Sequence, residues 1–231
     1  MNTVIIVAHG SPSDPEPKQA ALDALAAKVQ SFCPDIPVKA ATLAKQGALE
    51  SALGDCENPV IYPFFMAEGW FTKREIPRRL EKMGRSAAHM DPFGIDPALE
   101  ALILQDSLQA AKDAGLEPAE TDLILCAHGS KIARRSKDSA YAMAQKLQAA
   151  GPFWRVRVGL IEEAPFIETV ARTSRQGLCL PFFALRAGHV EGDIPHALRL
   201  AGFTGPLLAP IGEHAAIPAL IARAITRYIA N

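Results

Sequence analysis

Three polar residues in the second half of the chain, His128, Glu162 and His189, are of the types that hold a borderline divalent cation. Two imidazoles and one carboxylate form an N2O donor set, and three protein donors leave coordination positions open for a substrate. A neutral imidazole can also accept a proton near pH 7, so the same side chains suit metal transfer and proton transfer. Each of the three follows a short apolar run of strand type. Asp122 to Ala127 precedes His128, Arg155 to Ile161 leads to Glu162, and Gly177 to Phe183 precedes His189. In open parallel α/β sheets the loops at the carboxyl ends of the strands gather at one edge, where ligands bind. Residues far apart in sequence are therefore expected to meet there.

The chain contains an internal control on this reading, because it is a duplication. Thr3-Val-Ile-Ile-Val-Ala-His9-Gly-Ser11 matches Asp122-Leu-Ile-Leu-Cys-Ala-His128-Gly-Ser130, with the two histidines 119 residues apart. Pro63-Phe-Phe65 returns as Pro181-Phe-Phe183, Ile76-Pro77 as Ile194-Pro195, and Pro92-Phe93-Gly94 as Pro210-Ile211-Gly212, each 118 residues on. At these offsets His128 keeps a counterpart in His9, whereas Glu162 falls on Ala44 and His189 on Phe71. One half thus carries a polar trio at its strand ends, and the other an apolar replacement. That asymmetry reads as one working site and one retired copy, with His9 kept for the strand-to-helix turn.

Short apolar runs alternate with amphipathic stretches in both halves, the pattern of parallel strands joined by crossover helices. Strands are expected at Thr3 to Ala8, Pro37 to Leu43, Pro59 to Phe65 and Ala87 to Met90, and again at Asp122 to Ala127, Arg155 to Ile161, Gly177 to Phe183 and Gly205 to Ala209. Helices are expected at Lys18 to Val29, Pro77 to Lys82, Pro97 to Ala114, Asp138 to Ala149 and Ile217 to Ile229. Pro77 and Pro195 suit the first turn of a helix, where a missing N–H costs nothing. The connector Gly115 to Thr121 divides the chain into halves 1–117 and 118–231.

Composition narrows the choice of ligand. Formal net charge is −1 and the pI about 6.6, so no basic field recruits nucleic acid or anionic membrane, and a small-molecule ligand is expected. No apolar run approaches the length of a membrane span. No basic leader precedes Thr3 to Ala8, so a cytoplasmic location is expected. Cys33, Cys56, Cys126 and Cys179 form no C-x-x-C pair, and none is assigned chemistry.

The motifs Ala127-His128-Gly129-Ser130, Leu160-Ile161-Glu162-Glu163-Ala164-Pro165 and Ala187-Gly188-His189-Val190-Glu191-Gly192-Asp193-Ile194-Pro195 together resemble the CbiX/SirB sirohydrochlorin chelatases, which are class II tetrapyrrole chelatases. The resemblance runs through both halves. It implies an α/β fold of two pseudo-symmetric flavodoxin-like lobes with parallel sheets and an active cleft between them. It also implies ATP-independent insertion of Co²⁺ or Fe²⁺ into sirohydrochlorin, in cobalamin or siroheme biosynthesis. The metal is then a substrate, no cofactor is permanently bound, and a monomer can complete the cleft. On this resemblance His128 and His189 handle the metal and Glu162 occupies an acidic position used by related chelatases. Long members of the family usually keep the histidine pair in the N-terminal half, whereas here the complete set lies in the C-terminal half.

A carboxylated macrocycle calls for cations, and Lys131, Arg134, Arg135 and Arg186 flank the histidine motifs, with Lys73 and Arg74 in the other half. Met66, Trp70 and Phe71 could form an apolar wall for the ring. Two alternatives remain at this point: a metal or tetrapyrrole carrier without turnover, and a ferrochelatase acting on another porphyrin.

Overall fold

The computed structural model describes residues 2–129, 137–186 and 189–230; Lys131, Arg134 and Arg135 lie outside the described residues, as does the side chain of His189. The first repeat runs β1 (Asn2–Ala8), α1 (Pro15–Phe32), β2 (Val38–Thr42), α2 (Ala48–Leu53), β3 (Asn58–Pro63), a π-helical turn (Phe71–Glu75), α3 (Ile76–Lys82), β4 (Ala88–His89) and α4 (Ala98–Asp113). The second runs β5 (Asp122–Ala127), α5 (Asp138–Ala150), β6 (Arg155–Leu160), α6 (Ile167–Arg172), β7 (Gly177–Pro181), a π-helical turn (His189–Asp193), α7 (Ile194–Leu200) and α8 (Ile217–Ile229).

Both sheets are parallel, in the orders β2-β1-β3-β4 and β6-β5-β7. The first strand of each repeat lies inside its sheet and is buried from Thr3 to Ala8 and from Asp122 to Ala127. A strand covered on both faces needs an unbroken apolar run, and β1 and β5 have one. Beneath α2 and α3, Ile5, Val7, Leu49, Leu53, Ile61 and Ile76 form one core; Ile124, Cys126, Ile167, Val170, Cys179 and Ile194 form its counterpart. The outer strands are held alike. Val38 N–H donates to Gln30 Oε1 and Val156 N–H to Gln148 Oε1, both at 2.7 Å, so a helix glutamine covers the same edge position in each repeat.

Packing divides the chain differently from duplication. One compact unit comprises Met1–Asp96 with Ala215–Asn231, and the other Pro97–His214. The halves 1–117 and 118–231 are units of sequence repetition, and each loses its last helix to the other unit. Each helix must bury an apolar stripe, and the elements it packs on, rather than the stripe, decide its unit. α4 buries Leu99, Ile103, Ser107 and Ala111 at four-residue steps and packs on α5 and β7, while α8 buries Ile217, Leu220, Ile221, Ala224 and Ile225 and packs on α1.

The run Gly205 to Ala209 does not form the fourth strand expected of the second repeat. It makes one bridge, Cys179 with Leu207, in which Cys179 N–H donates to the Pro206 carbonyl and Leu208 N–H to the Cys179 carbonyl, each at 2.8 Å. Pro206 and Pro210 cannot donate to a ladder, which leaves too short a stretch to continue it. The six-residue helices α2 and α6 and the two π-helical turns escape a periodicity reading, because elements this short present little more than one turn of pattern.

Two glycines brace the loops beyond the third strands. Gly94 N–H donates to the Phe65 carbonyl at 2.9 Å, and Gly212 N–H to the Phe183 carbonyl at 3.0 Å. A β-carbon at Gly94 would stand 2.0 Å from the Met66 carbonyl oxygen, and one at Gly212 1.9 Å from that of Ala184. Gly212→Ala is therefore expected to push the Ala184 loop aside and to cost about 1–3 kcal/mol in a urea melt, the range for overpacking a closed site. An unchanged midpoint would contradict this close approach. Among the described residues, no helix is long and apolar enough to cross a membrane.

Candidate metal centre

Two residues of the expected trio stand together beyond the β6-β5-β7 sheet, and the third follows β7 in the chain. His128 follows β5, Glu162 lies just beyond β6, and His189 opens the π-helical turn after β7. The backbone ties the first two together. Glu162 N–H donates to the His128 carbonyl at 3.1 Å, and Ile161 N–H to the same oxygen at 3.2 Å. The His128 ring and the Glu162 carboxylate then stand 3.8 Å apart, Nδ1 to Oε1, with side chains 44% and 40% exposed. That separation exceeds a hydrogen bond, and the exposure leaves both within reach of a solute.

The turn after His128 sets its tautomer. Gly129 has φ +70°, in the left-handed region, which brings its carbonyl oxygen 2.9 Å from His128 Nδ1. A carbonyl only accepts, so Nδ1 carries the proton and the lone pair lies on Nε2. An imidazole whose tautomer is fixed by a backbone carbonyl at one nitrogen is the usual arrangement of a metal-binding histidine.

Glu163 packs beneath this turn. A β-carbon on Gly129 would meet Glu163 Cγ at 3.0 Å and Leu160 Cβ at 3.2 Å. Lys137, at the start of α5, pairs with the Glu163 carboxylate at 2.6 Å, and this contact raises the lysine's pKa. The pair adds a compensated charge beside Glu162 and braces the turn against the next helix. Its significance was hidden in the sequence, because Lys137 and Glu163 share no motif. The same holds for Glu213, whose carboxylate takes Arg186 bidentately, Nη2 to Oε2 at 2.8 Å and Nε to both oxygens at 3.1 Å. Arg186 is thus oriented by a carboxylate, the chemistry expected of it toward a carboxylated ligand.

Among the described residues, no three His, Cys, Asp or Glu side chains cluster at metal-binding spacing. Cys126 and Cys179 are buried in this sheet, and the hydrogen bond between them, together with burial, holds Cys179 as the thiol and pushes its pKa well above the ordinary value. A thiol held in that form is a poor metal ligand at neutral pH.

At the matching edge of the other sheet, His9 sits against Phe71, ring centroids 4.5 Å apart and edge to face, with Phe65 and Trp70 packed on Phe71 at 5.7 and 5.1 Å. Trp70 is exposed, and Lys73 pairs with Glu68.

Comparison with known proteins agrees with this architecture. The CbiX family model matches the chain twice, over residues 3–110 and 122–228. A solved structure of CbiX, described as the terminal enzyme for biosynthesis of siroheme in denitrifying bacteria, is 45% identical, with a TM-score of 0.89 over 97% of this chain and 98% of its own. SirB from Bacillus subtilis, solved with Fe³⁺, shares the fold at 16% identity and a TM-score of 0.75, covering 100% of this chain and 96% of that one. A probable sirohydrochlorin cobaltochelatase of Halobacterium salinarum is 25% identical over 228 residues, 84% of this chain and 76% of its own length. With both halves matched by one family model and a 45% identical relative covering nearly its full length, the chain belongs to the CbiX family.

Proposed function

We propose that the chain inserts Co²⁺ or Fe²⁺ into sirohydrochlorin without ATP, using His128, Glu162 and His189 as a transient metal centre. The observation that carries this reading is the His128–Glu162 pair, 3.8 Å apart; His189 is assigned to it as the residue that opens the π-helical turn after β7. The relative named for sirohydrochlorin supplies the substrate class.

The reaction breaks two pyrrole N–H bonds, releases two protons and exchanges the ion's water ligands for the four macrocycle nitrogens. His128 Nε2 can hold the ion while it sheds water, or accept a pyrrole proton once the ion has left. Glu162 supplies an anionic oxygen that lowers the cost of bringing a dication to the site and can receive the second proton. Their exposure matters, since a ring must approach closely enough to take the ion, and an enclosed site would retain it. Arg186, Lys131, Arg134 and Arg135 are assigned to the macrocycle's carboxylates. Arg186 would exchange Glu213 for a substrate carboxylate of the same geometry.

The test is an anaerobic absorbance assay with sirohydrochlorin and each ion. Initial rates should exceed spontaneous insertion in buffer and saturate with macrocycle, and their ratio ranks Co²⁺ against Fe²⁺. Tight binding of macrocycle or metal with no acceleration would overturn the enzyme reading in favour of a carrier.

A further inference from the structure

Glu162 has a second carboxylate as its neighbour in the chain, and the fold gives that one a different occupation. Glu163 lies under the turn that carries His128, where a β-carbon on Gly129 would stand 3.0 Å from its Cγ and 3.3 Å from its Oε1. Lys137 holds the other oxygen, Nζ to Oε2 at 2.6 Å. Burial follows the same division. The Glu162 side chain is 40% exposed and that of Glu163 20%, so one carboxylate is open to solutes while its neighbour is kept against a cation. A carboxylate in such a pair has its charge compensated and one oxygen occupied, and it reaches a second cation only by giving up the first.

The first repeat uses the position of this lysine for another purpose. Its counterpart 118 residues earlier is Gln19, which closes the free edge of β2. Gln19 Oε1 accepts from Thr42 N–H at 2.7 Å and from Thr42 Oγ1 at 3.0 Å, and Nε2 donates to the Ala40 carbonyl at 3.3 Å. In the second repeat the N–H matching that of Thr42 belongs to Leu160, and the Pro165 carbonyl takes it at 2.8 Å. The side chain at position 137 is thereby released from the strand edge. Its charge serves Glu163, whose own counterpart in the first repeat is a lysine, Lys45.

A dication is held more tightly as anionic ligands are added, and a centre that must pass its ion to a macrocycle is hindered by a donor too many. We propose that Lys137 is a positioning residue that sets the strength of the metal centre: by pairing with Glu163 it keeps that carboxylate out of the donor set, so that Glu162 supplies the anionic oxygen and the ion can leave. The proposal rests on reading His128 and Glu162 as donors. It goes beyond that reading in giving Lys137 and Glu163 a part in metal release.

The experiment titrates Co²⁺ into the full-length chain by calorimetry, at low and high salt, with circular dichroism to check folding. Lys137→Met keeps the bulk of the side chain without its charge. It should tighten Co²⁺ binding about tenfold, within the range that partners of metal ligands contribute, and should change the ligand-field spectrum of the bound ion. Loss of a positive charge acting only through space would leave that spectrum as it is and would fade at high salt. Glu162→Gln alone should weaken binding. Adding Lys137→Met should recover most of the loss, because the released Glu163 takes the vacant place, and adding Glu163→Gln to that pair should abolish the recovery. Insertion of Co²⁺ into sirohydrochlorin should be slower in Lys137→Met than in the parent, as the ion is held longer. Lys137→Gln is the second neutral variant should Lys137→Met fold poorly. Unchanged Co²⁺ affinity in a folded neutral variant overturns the proposal, as does a gain that survives Glu163→Gln or vanishes at high salt, or a tighter site that turns over as fast as the parent. Failure of the donor assignment reads out separately, as parent affinity that Glu162→Gln does not reduce, and it removes the proposal with its premise.

Discussion

His128→Ala and His189→Ala are each expected to lower the initial rate of Co²⁺ or Fe²⁺ insertion into sirohydrochlorin by about 10²-fold or more, the contribution typical of a positioned proton acceptor or ligand. The loss should appear mainly in kcat, because the donors act on the ion and the pyrrole protons rather than on the macrocycle's periphery. Glu162→Ala should slow insertion substantially but less, since it removes one oxygen donor and leaves both imidazoles. His9→Ala should leave turnover at the parent level. Its ring lies against Phe71 and has an alanine where the carboxylate would stand, so it lacks partners with which to hold an ion. Rates corrected for spontaneous insertion, with folding checked by circular dichroism, decide the matter. Full activity in folded His189→Ala, or none in folded His9→Ala, would move the site out of the C-terminal repeat.

A second large effect is expected far from the chemistry. Asp122 opens β5 fully buried, and its carboxylate takes Arg155 bidentately at 2.8 Å, Ser174 Oγ at 2.7 Å and Arg157 at 3.4 Å. Burial pushes this carboxyl's pKa up, but the hydrogen bonds from Arg155 and Ser174 and the charges of both arginines outweigh it and hold it below the ordinary aspartate value. Asp122→Ala leaves two partly exposed arginines without their anion and should cost about 1–3 kcal/mol at neutral pH, the range for losing hydrogen bonds to a buried charge when solvent still reaches its partners. The sign of the pH dependence follows from the lowered pKa. The contribution is fully present above the unfolded-state value of about 3.9 and is lost as pH falls through the folded one. Urea melts at neutral pH should therefore separate parent from variant widely, and the gap should close on acidification below about pH 4. A gap that is absent at neutral pH, or that grows on acidification, would contradict this account.

Much of the molecule was legible in the chain itself because the relevant physics is local. Strand β5 runs Asp122–Ala127 and helix α8 runs Ile217–Ile229, both with the limits that their apolar patterns indicate, since the burial of each residue follows from its spacing along one element. The duplication likewise needed only matched spacing, and it singled out Glu162 and His189 as residues with apolar counterparts. Tertiary structure decided what depends on distant partners. An amphipathic stripe shows that α4 and α8 bury a face but not in which core, so the exchange of terminal helices between repeats could not be read from it. Charge on Arg186 and Lys137 was visible, but their pairing with Glu213 and Glu163, 27 and 26 residues away, was not, because an ion pair is chosen by which loops the sheet edge brings together. The run Gly205 to Ala209 stops at a single bridge for a reason its own segment carries: strand propensity proposes a ladder, but Pro206 and Pro210 have no N–H with which to complete it.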